Sequence, residues 1–147
     1  MLDPSELEAI RDFGEAPRPL TFWDFLGVRG NFELAAAFST LFWPELVEVN
    51  GCVLLKEQLS RTDLTEWTEK LEGDRAGIEA MVNHVHMYDL FPNVELNVSD
   101  RVLLHLAQTL RLCWLAAARE QFPERNIDVE LTNGPAEYGP TLTLCSR

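Results

Sequence analysis

The sequence predicts an α+β protein in which about five to six helices pack on a small antiparallel sheet. Three observations support this fold class: helical spacing of apolar residues over most of the chain, one Asn-Gly pair between short apolar runs, and alternating segments near the C-terminus. The predicted sheet consists of a hairpin over residues 46–56 and a strand pair over 126–132 and 141–145. Whether the two pairs share one sheet is left open. At 147 residues, without repeat or linker, the chain is expected to form one domain over 1–147.

The N-terminal third is expected to contain three short helices, the first of which, within residues 1–15, is peripheral. Each begins at a residue type that caps a helix or pre-sets its first turn: Asp3 with Pro4, Thr21 and Asn31. Each is expected to end at or just before a helix-breaking residue: Gly14, Gly27 and Pro44.

Seven aromatic residues fall between positions 22 and 43: Phe22, Trp23, Phe25, Phe32, Phe38, Phe42 and Trp43. Aromatic side chains contribute large areas both to cores and to the anchors of protein interfaces. The favoured interpretation is that they fill the core beneath the sheet. The alternative is an exposed interface, and Trp23 beside Asp24 is the first place to look for it.

The segment "ELVEVNGCVLLKE" predicts a hairpin with a two-residue loop at Asn50 and Gly51. Such a loop fixes the cross-strand partners as Val49 with Cys52, Val47 with Leu54, and Glu45 with Lys56. The resulting hairpin has one apolar face, and an opposite-charge pair closes its open end.

Two helices are predicted directly after the hairpin. Asp63 and Glu66 form a capping box for the first helix, which Gly73 ends. Residues 74–90 are expected to form the second helix, with an apolar face made by Ile78, Met81, Val82 and Val85.

The longest predicted helix covers residues 100–122, begins after the cap Ser99 and ends at Pro123. Its apolar stripe consists of Leu103, Leu106, Leu110, Cys113 and Ala117. Further leucines place apolar side chains on nearly every side, which predicts the central helix of the fold.

The segment "NHVHMYDLF" at 83–91 holds two of the three histidines. On a helix, His84 and His86 point about 200° apart and cannot bind one ion, whereas on a strand they would converge. A helical His86 would lie near Asp89, and an imidazole–carboxylate pair can act in acid–base chemistry. The candidate catalytic residues are therefore His84, His86, Asp89 and, on the long helix, His105, which is expected to be an interior group. The favoured interpretation is a helix with two imidazoles and no metal site.

The charge and cysteine content narrow the classes of partner and compartment. A net charge of −12, spread along the chain, disfavours nucleic acid and suits either a cationic partner or simple solubility. The N-terminus has neither the bases nor the apolar run of a secretory signal, and no uncharged run is long enough to span a membrane. Three widely spaced cysteines predict reduced thiols in the cytoplasm.

The sequence contains no glycine-rich phosphate loop, no H-E-x-x-H and no G-x-S-x-G motif, so no cofactor is predicted and a non-enzymatic role is favoured. We expect a protein-binding domain, such as an inhibitor or immunity-type antidote that masks a basic toxin. The expected partner-binding residues are Trp23, Asp24, Glu48, Asp128 and Glu130. The alternatives are a small enzyme or ligand-binding domain built on the histidines and a regulatory homodimer.

Overall fold

A computed structural model of the chain describes residues 2–13, 17–60, 64–92, 98–134 and 138–147. The described residues form helices and antiparallel strands, which confirms the α+β class. The helices are α1 (Glu8–Arg11), α2 (Phe22–Arg29), α3 (Phe32–Phe42), α4 (Lys56–Leu59), α5 (Leu64–Lys70), α6 (Arg75–Val82) and α7 (Asp100–Gln121). The strands are β1 (Leu46–Val49), β2 (Cys52–Leu55), β3 (His84–His86), β4 (Ile127–Thr132) and β5 (Thr141–Ser146). Short 3₁₀ turns cover Pro4–Glu6 and Met87–Leu90.

The strands form two sheets, which answers the question that the sequence left open. β1 and β2 form a two-stranded sheet, and β3, β5 and β4 form a three-stranded sheet in that order. All neighbouring strands are antiparallel. The C-terminal pair is therefore confirmed, and it gains an edge strand, β3, that the sequence did not predict.

The predicted hairpin is confirmed in its turn and in its register. Asn50 and Gly51 have φ values of 53° and 82°, the left-handed conformations that a tight two-residue turn requires. The cross-strand partners are the predicted ones, Val49 with Cys52 and Val47 with Leu54. At the open end, Lys56 Nζ lies 2.7 Å from the Glu45 carboxylate.

The long helix α7 is confirmed and packs against the three-stranded sheet. Its buried residues are Leu103, Ala107, Leu110, Trp114, Ala117 and Ala118. All of them except Ala117 belong to the core cluster that also contains residues of β4 and β5. Leu112 is 64% exposed, so the helix also has a solvent side. The Ser99 side chain accepts a hydrogen bond from the backbone N–H of Val102, as expected for a cap.

The two sheets are joined through Asn83, which immediately follows α6. Its side-chain oxygen accepts from Leu55 N at 2.8 Å. Its side-chain nitrogen donates to Val53 O and Leu144 O, both at 2.9 Å. Asn83 is fully buried, and it satisfies backbone groups of β2 and β5 that no strand pairs.

Glu79, one turn earlier on α6, makes a second link between the sheets. Its carboxylate is 1% exposed and accepts hydrogen bonds from Val53 N at 2.7 Å, from the backbone N–H of Ser146, and from Ser146 Oγ at 3.1 Å. A buried carboxylate is tolerated here because several donors converge on it.

The predicted helix over 74–90 is wrong beyond residue 82. α6 ends at Val82, and the chain then turns into β3, whose three residues pair with Thr141–Thr143 of β5. The bonds of Asn83 to β2 and β5 fix the chain at the point where the helix would have continued. Met81, predicted on the apolar face, is 46% exposed.

The predicted N-terminal caps are confirmed, but two helix boundaries differ. Asp3, Thr21 and Asn31 each accept a backbone N–H in the turn that follows them. The first predicted helix is divided into a 3₁₀ turn and the short α1, and α2 continues past Gly27 to Arg29. The predicted cap Asp63 lies outside the described residues.

The interpretation of the 22–43 aromatics as core residues is wrong. No residue of α2 or α3 is buried. Only the C-terminal end of α3 reaches the core, where Leu41 and Phe42 pack against it half-buried.

Among the described residues, no helix combines the length and the apolar composition that crossing a bilayer requires.

Candidate functional site

The helices α2 and α3, here called the α2–α3 segment, expose half of their large apolar side chains and bury none of them fully. Phe32 is 96% exposed and Trp23 83%. Others that are well exposed are Leu26, Val28, Leu34 and, directly after α3, Trp43. Monomeric proteins seldom leave large apolar areas in contact with water, and those that do often use them for binding.

Polar contacts, instead of burial, define where α2 begins. Thr21 and Asp24 form a reciprocal capping box, with Thr21 N donating to Asp24 at 2.9 Å. The two terminal guanidinium nitrogens of Arg18, Nη1 and Nη2, each donate to the Asp24 carboxylate at 2.7 Å. The Arg18 hydrogen bond, together with those from Thr21, holds the pKa of Asp24 well below its ordinary value.

The α2–α3 segment is attached to the rest of the protein at its two ends. At the N-terminal end, Phe13 packs edge-on against Phe25, with ring centres 6.3 Å apart, and a groove of about 400 Å³ lies between them, Trp23 and the buried Ile10. At the other end, Trp114 Nε1–H donates to Leu41 O at 2.9 Å. The middle of the segment, from Leu26 through the alanines at 35–37, is exposed.

The expected partner-binding carboxylates each have a basic partner within the chain. Besides Asp24 with Arg18, Glu48 pairs with Arg125 at 2.7 Å, and Arg147 lies 3.0 Å from Asp128 and 3.9 Å from Glu130. The Arg147 hydrogen bond lowers the pKa of Asp128. By contrast, Glu33, Glu57 and Asp89 make no ion pair with any other residue that the structure describes.

A cleft of about 450 Å³, here called the histidine cleft, lies between the end of α3, the open end of the hairpin, and β3. Its charged and imidazole-bearing lining residues are Glu45, Lys56, Glu57, His84, His86 and Asp89. Trp114 and Leu55 contribute to its apolar part.

The prediction that His84 and His86 point in different directions is wrong, because these residues lie on a strand. Their rings are 4.7 Å apart between centres, with planes at 84°. Side chains two residues apart on a strand share one side, and Val85 between them points into the core, 5% exposed.

Threonines of β5 orient both imidazoles. Register places Thr143 opposite His84 and Thr141 opposite His86, and each hydroxyl lies close to Nδ1 of its histidine, at 3.1 and 2.9 Å. The Thr141 hydroxyl donates its proton to Gly139 O at 3.2 Å, so it must accept from His86 Nδ1–H. The network therefore assigns the lone pair of a neutral His86 to Nε2.

The fourth candidate, His105, is not brought to this site. It lies exposed on α7 and does not line the histidine cleft, so its expected interior position is wrong. Across the described parts of the chain, no three His, Cys, Asp or Glu side chains are arranged to hold a metal ion. Cys52, Cys113 and Cys145 are free thiols, as predicted, and burial raises the pKa of Cys52 and Cys145.

Sequence reasoning did not find Thr141, Thr143, Lys56 or Glu57 as neighbours of the histidines. The only available signal was the alternation of "HVH" and "TLT", each three residues long and visible only if both segments are read as strands.

No curated protein and no solved structure matches the chain. A model of the Uncharacterized protein PM0498 family matches residues 28–132, more than half of the chain, and the chain therefore belongs to this family.

Proposed function

We propose that this protein is a protein-binding domain that docks a basic protein on its α2–α3 segment. The observation that carries the proposal is the exposure of Phe32 and Trp23 on helices without a single buried residue. Aromatic anchors of this kind supply most of the free energy of binding at protein interfaces.

Charge supports a basic partner over a second copy of the chain. Each copy has a net charge of −12, so two copies repel each other, whereas a cationic protein is attracted over long range. Locally, Glu33 lies on the exposed α3, and Glu57 and Asp89 line the histidine cleft beside the end of that helix. None of the three has an ion-pair partner among the described residues. An inhibitor or immunity-type antidote that masks a basic toxin in the cytoplasm is the specific role we propose.

The test compares two variants that differ in where an exposed apolar side chain is removed. The double variant Trp23→Ala, Phe32→Ala alters the α2–α3 segment, and Leu112→Ala removes a comparably exposed side chain from α7. Tagged wild-type and variant proteins are used to capture partners at low salt, and the recovered protein is purified and its binding remeasured by calorimetry. We expect a basic partner with a pI above about 9, whose Kd rises at least about thirtyfold in the double variant. The Leu112→Ala variant is expected to bind like wild type.

Salt supplies the second measurement on the same purified partner. Raising the ionic strength from about 0.01 M to about 1 M shortens the Debye length from about 30 Å to about 3 Å, so the association rate should fall steeply. Equal binding by the double variant, an acidic partner, or concentration-dependent dimerisation of the isolated chain through Trp23 and Phe32 would each overturn the proposal.

A further inference from the structure

The two imidazoles on β3 lie side by side on the solvent-facing side of the three-stranded sheet. Their ring centres are 4.7 Å apart. Zinc–nitrogen bonds are about 2.0–2.1 Å long, so two imidazoles on one ion, at bond angles of about 90–110°, have centres about 4.5–5.2 Å apart. The observed separation falls within this range.

The partners of the Nδ1 atoms match those of metal-binding histidines. Such histidines generally donate their second ring N–H to an oxygen, which fixes both the ring and the tautomer. The hydroxyl of Thr141 does this for His86, because its own proton is donated to Gly139 O. Thr143 Oγ1 lies 3.1 Å from His84 Nδ1 in the equivalent position.

We propose that His84 and His86 bind one divalent transition-metal ion through their Nε2 atoms. Imidazole nitrogens favour zinc, nickel and copper over magnesium and calcium, which prefer oxygen ligands. The surrounding charge suits a cation, because the chain has a net charge of −12 and the cleft holds the carboxylates of Glu57 and Asp89.

The protein supplies two ligands, since the described residues provide no third one in place. Water or a donor from another molecule completes the coordination, as in metal sites that keep open positions. A metal ion bound at His84 Nε2 would replace any hydrogen bond that this atom makes in the free protein. The proposed site therefore does not depend on the His84 ring being without other contacts. It is also independent of the proposed protein-binding role.

Titration calorimetry of the full chain with zinc chloride and with nickel chloride tests the site. We expect one ion per chain, and no binding of magnesium or calcium under the same conditions. His84→Gln and His86→Gln should each weaken binding at least about tenfold, and Thr143→Val about tenfold through loss of the orienting hydroxyl. Circular dichroism and the Tm confirm that each variant is folded before its affinity is compared.

Two matched controls separate this site from other metal-binding groups. His105→Gln removes an exposed histidine outside the cleft, and Cys145→Ser removes a half-buried thiol of β5. Both are expected to bind zinc and nickel like wild type. Binding that survives His84→Gln and His86→Gln, or that is lost in either control, would overturn the proposal.

Discussion

Two tryptophans, Trp114 and Trp23, lie in regions that differ in how they place apolar side chains: one region buries them and the other exposes them. Trp114, on α7, is 2% exposed and its indole N–H is hydrogen-bonded, whereas Trp23, on α2, is 83% exposed. In the folded core even the buried polar groups are satisfied, as Glu79 and Asn83 show. Around Trp23, caps and an ion pair hold the helix. The difference indicates that the fold depends on residues around Trp114, and that the exposed apolar residues around Trp23 contribute little to it.

The largest expected effect comes from truncating each tryptophan in turn. Trp114→Ala should lower the free energy of unfolding by about 4 kcal/mol, because it leaves a cavity and removes the donor to Leu41 O. Trp23→Ala should change it by no more than about 0.5 kcal/mol, because the side chain is already in water. Urea unfolding followed by circular dichroism measures both. A loss for Trp23→Ala approaching that of Trp114→Ala would mean that α2 belongs to the folding core.

The next largest effect is expected at Asn83, where polar contacts replace strand pairing. Asn83→Ala removes three buried hydrogen bonds and leaves backbone groups of β2 and β5 without partners. We expect the free energy of unfolding to fall by about 3 kcal/mol, since each unsatisfied buried group costs about 1–3 kcal/mol. Asn133→Ala, at an exposed position, serves as the matched control and should be neutral. A loss below about 1 kcal/mol for Asn83→Ala would show that water replaces the side chain there.

Local rules predicted the parts of the fold whose signals lie close together in the chain. The Asn50–Gly51 turn set the hairpin register, and the Ser99 cap and Pro123 bounded α7 closely. β3 was missed because its backbone depends on contacts distant in sequence, namely Asn83 with Val53 and pairing with β5. The strand-like alternation covers only the three residues His84–His86, and the helical spacing of the apolar residues before them favoured a continuous helix.

The candidate sites were less predictable than the fold for the same reason. His84 and His86 converge only because residue 83 ends the helix, so an error in one element reversed the expected geometry. The exposure of Trp23 and Phe32 was also hidden, because the pattern of a helix shows its apolar face but not whether another element covers it.

A smaller effect is expected at two glycines, one in each region. Gly139 has a φ of +73°, and a Cβ there would lie 2.3 Å from the Tyr88 ring. Gly139→Ala should therefore lower the free energy of unfolding by about 1–2 kcal/mol through the left-handed backbone alone. The contact with the Tyr88 ring should lower it further. Gly27, inside α2, has open space around it, and Gly27→Ala should stabilise the protein by up to about 1 kcal/mol. Thermal unfolding tests both, and destabilisation by Gly27→Ala would show that α2 has a packing partner.

The smallest expected effect is local and concerns the charge pair that anchors α2. The pKa of Asp24 is lowered in the folded protein, first by the Arg18 hydrogen bond and then by those from Thr21. The ionised carboxylate thus stabilises α2 fully above its unfolded pKa of about 3.9, and this contribution is lost as pH falls through the folded pKa. Carbon-detected NMR titration should place the Asp24 midpoint well below the ordinary value, and Arg18→Gln should raise it. Arg29→Gln, on the same helix, should leave the midpoint unchanged. A midpoint insensitive to Arg18→Gln would mean that the capping box with Thr21 holds the helix without the ion pair.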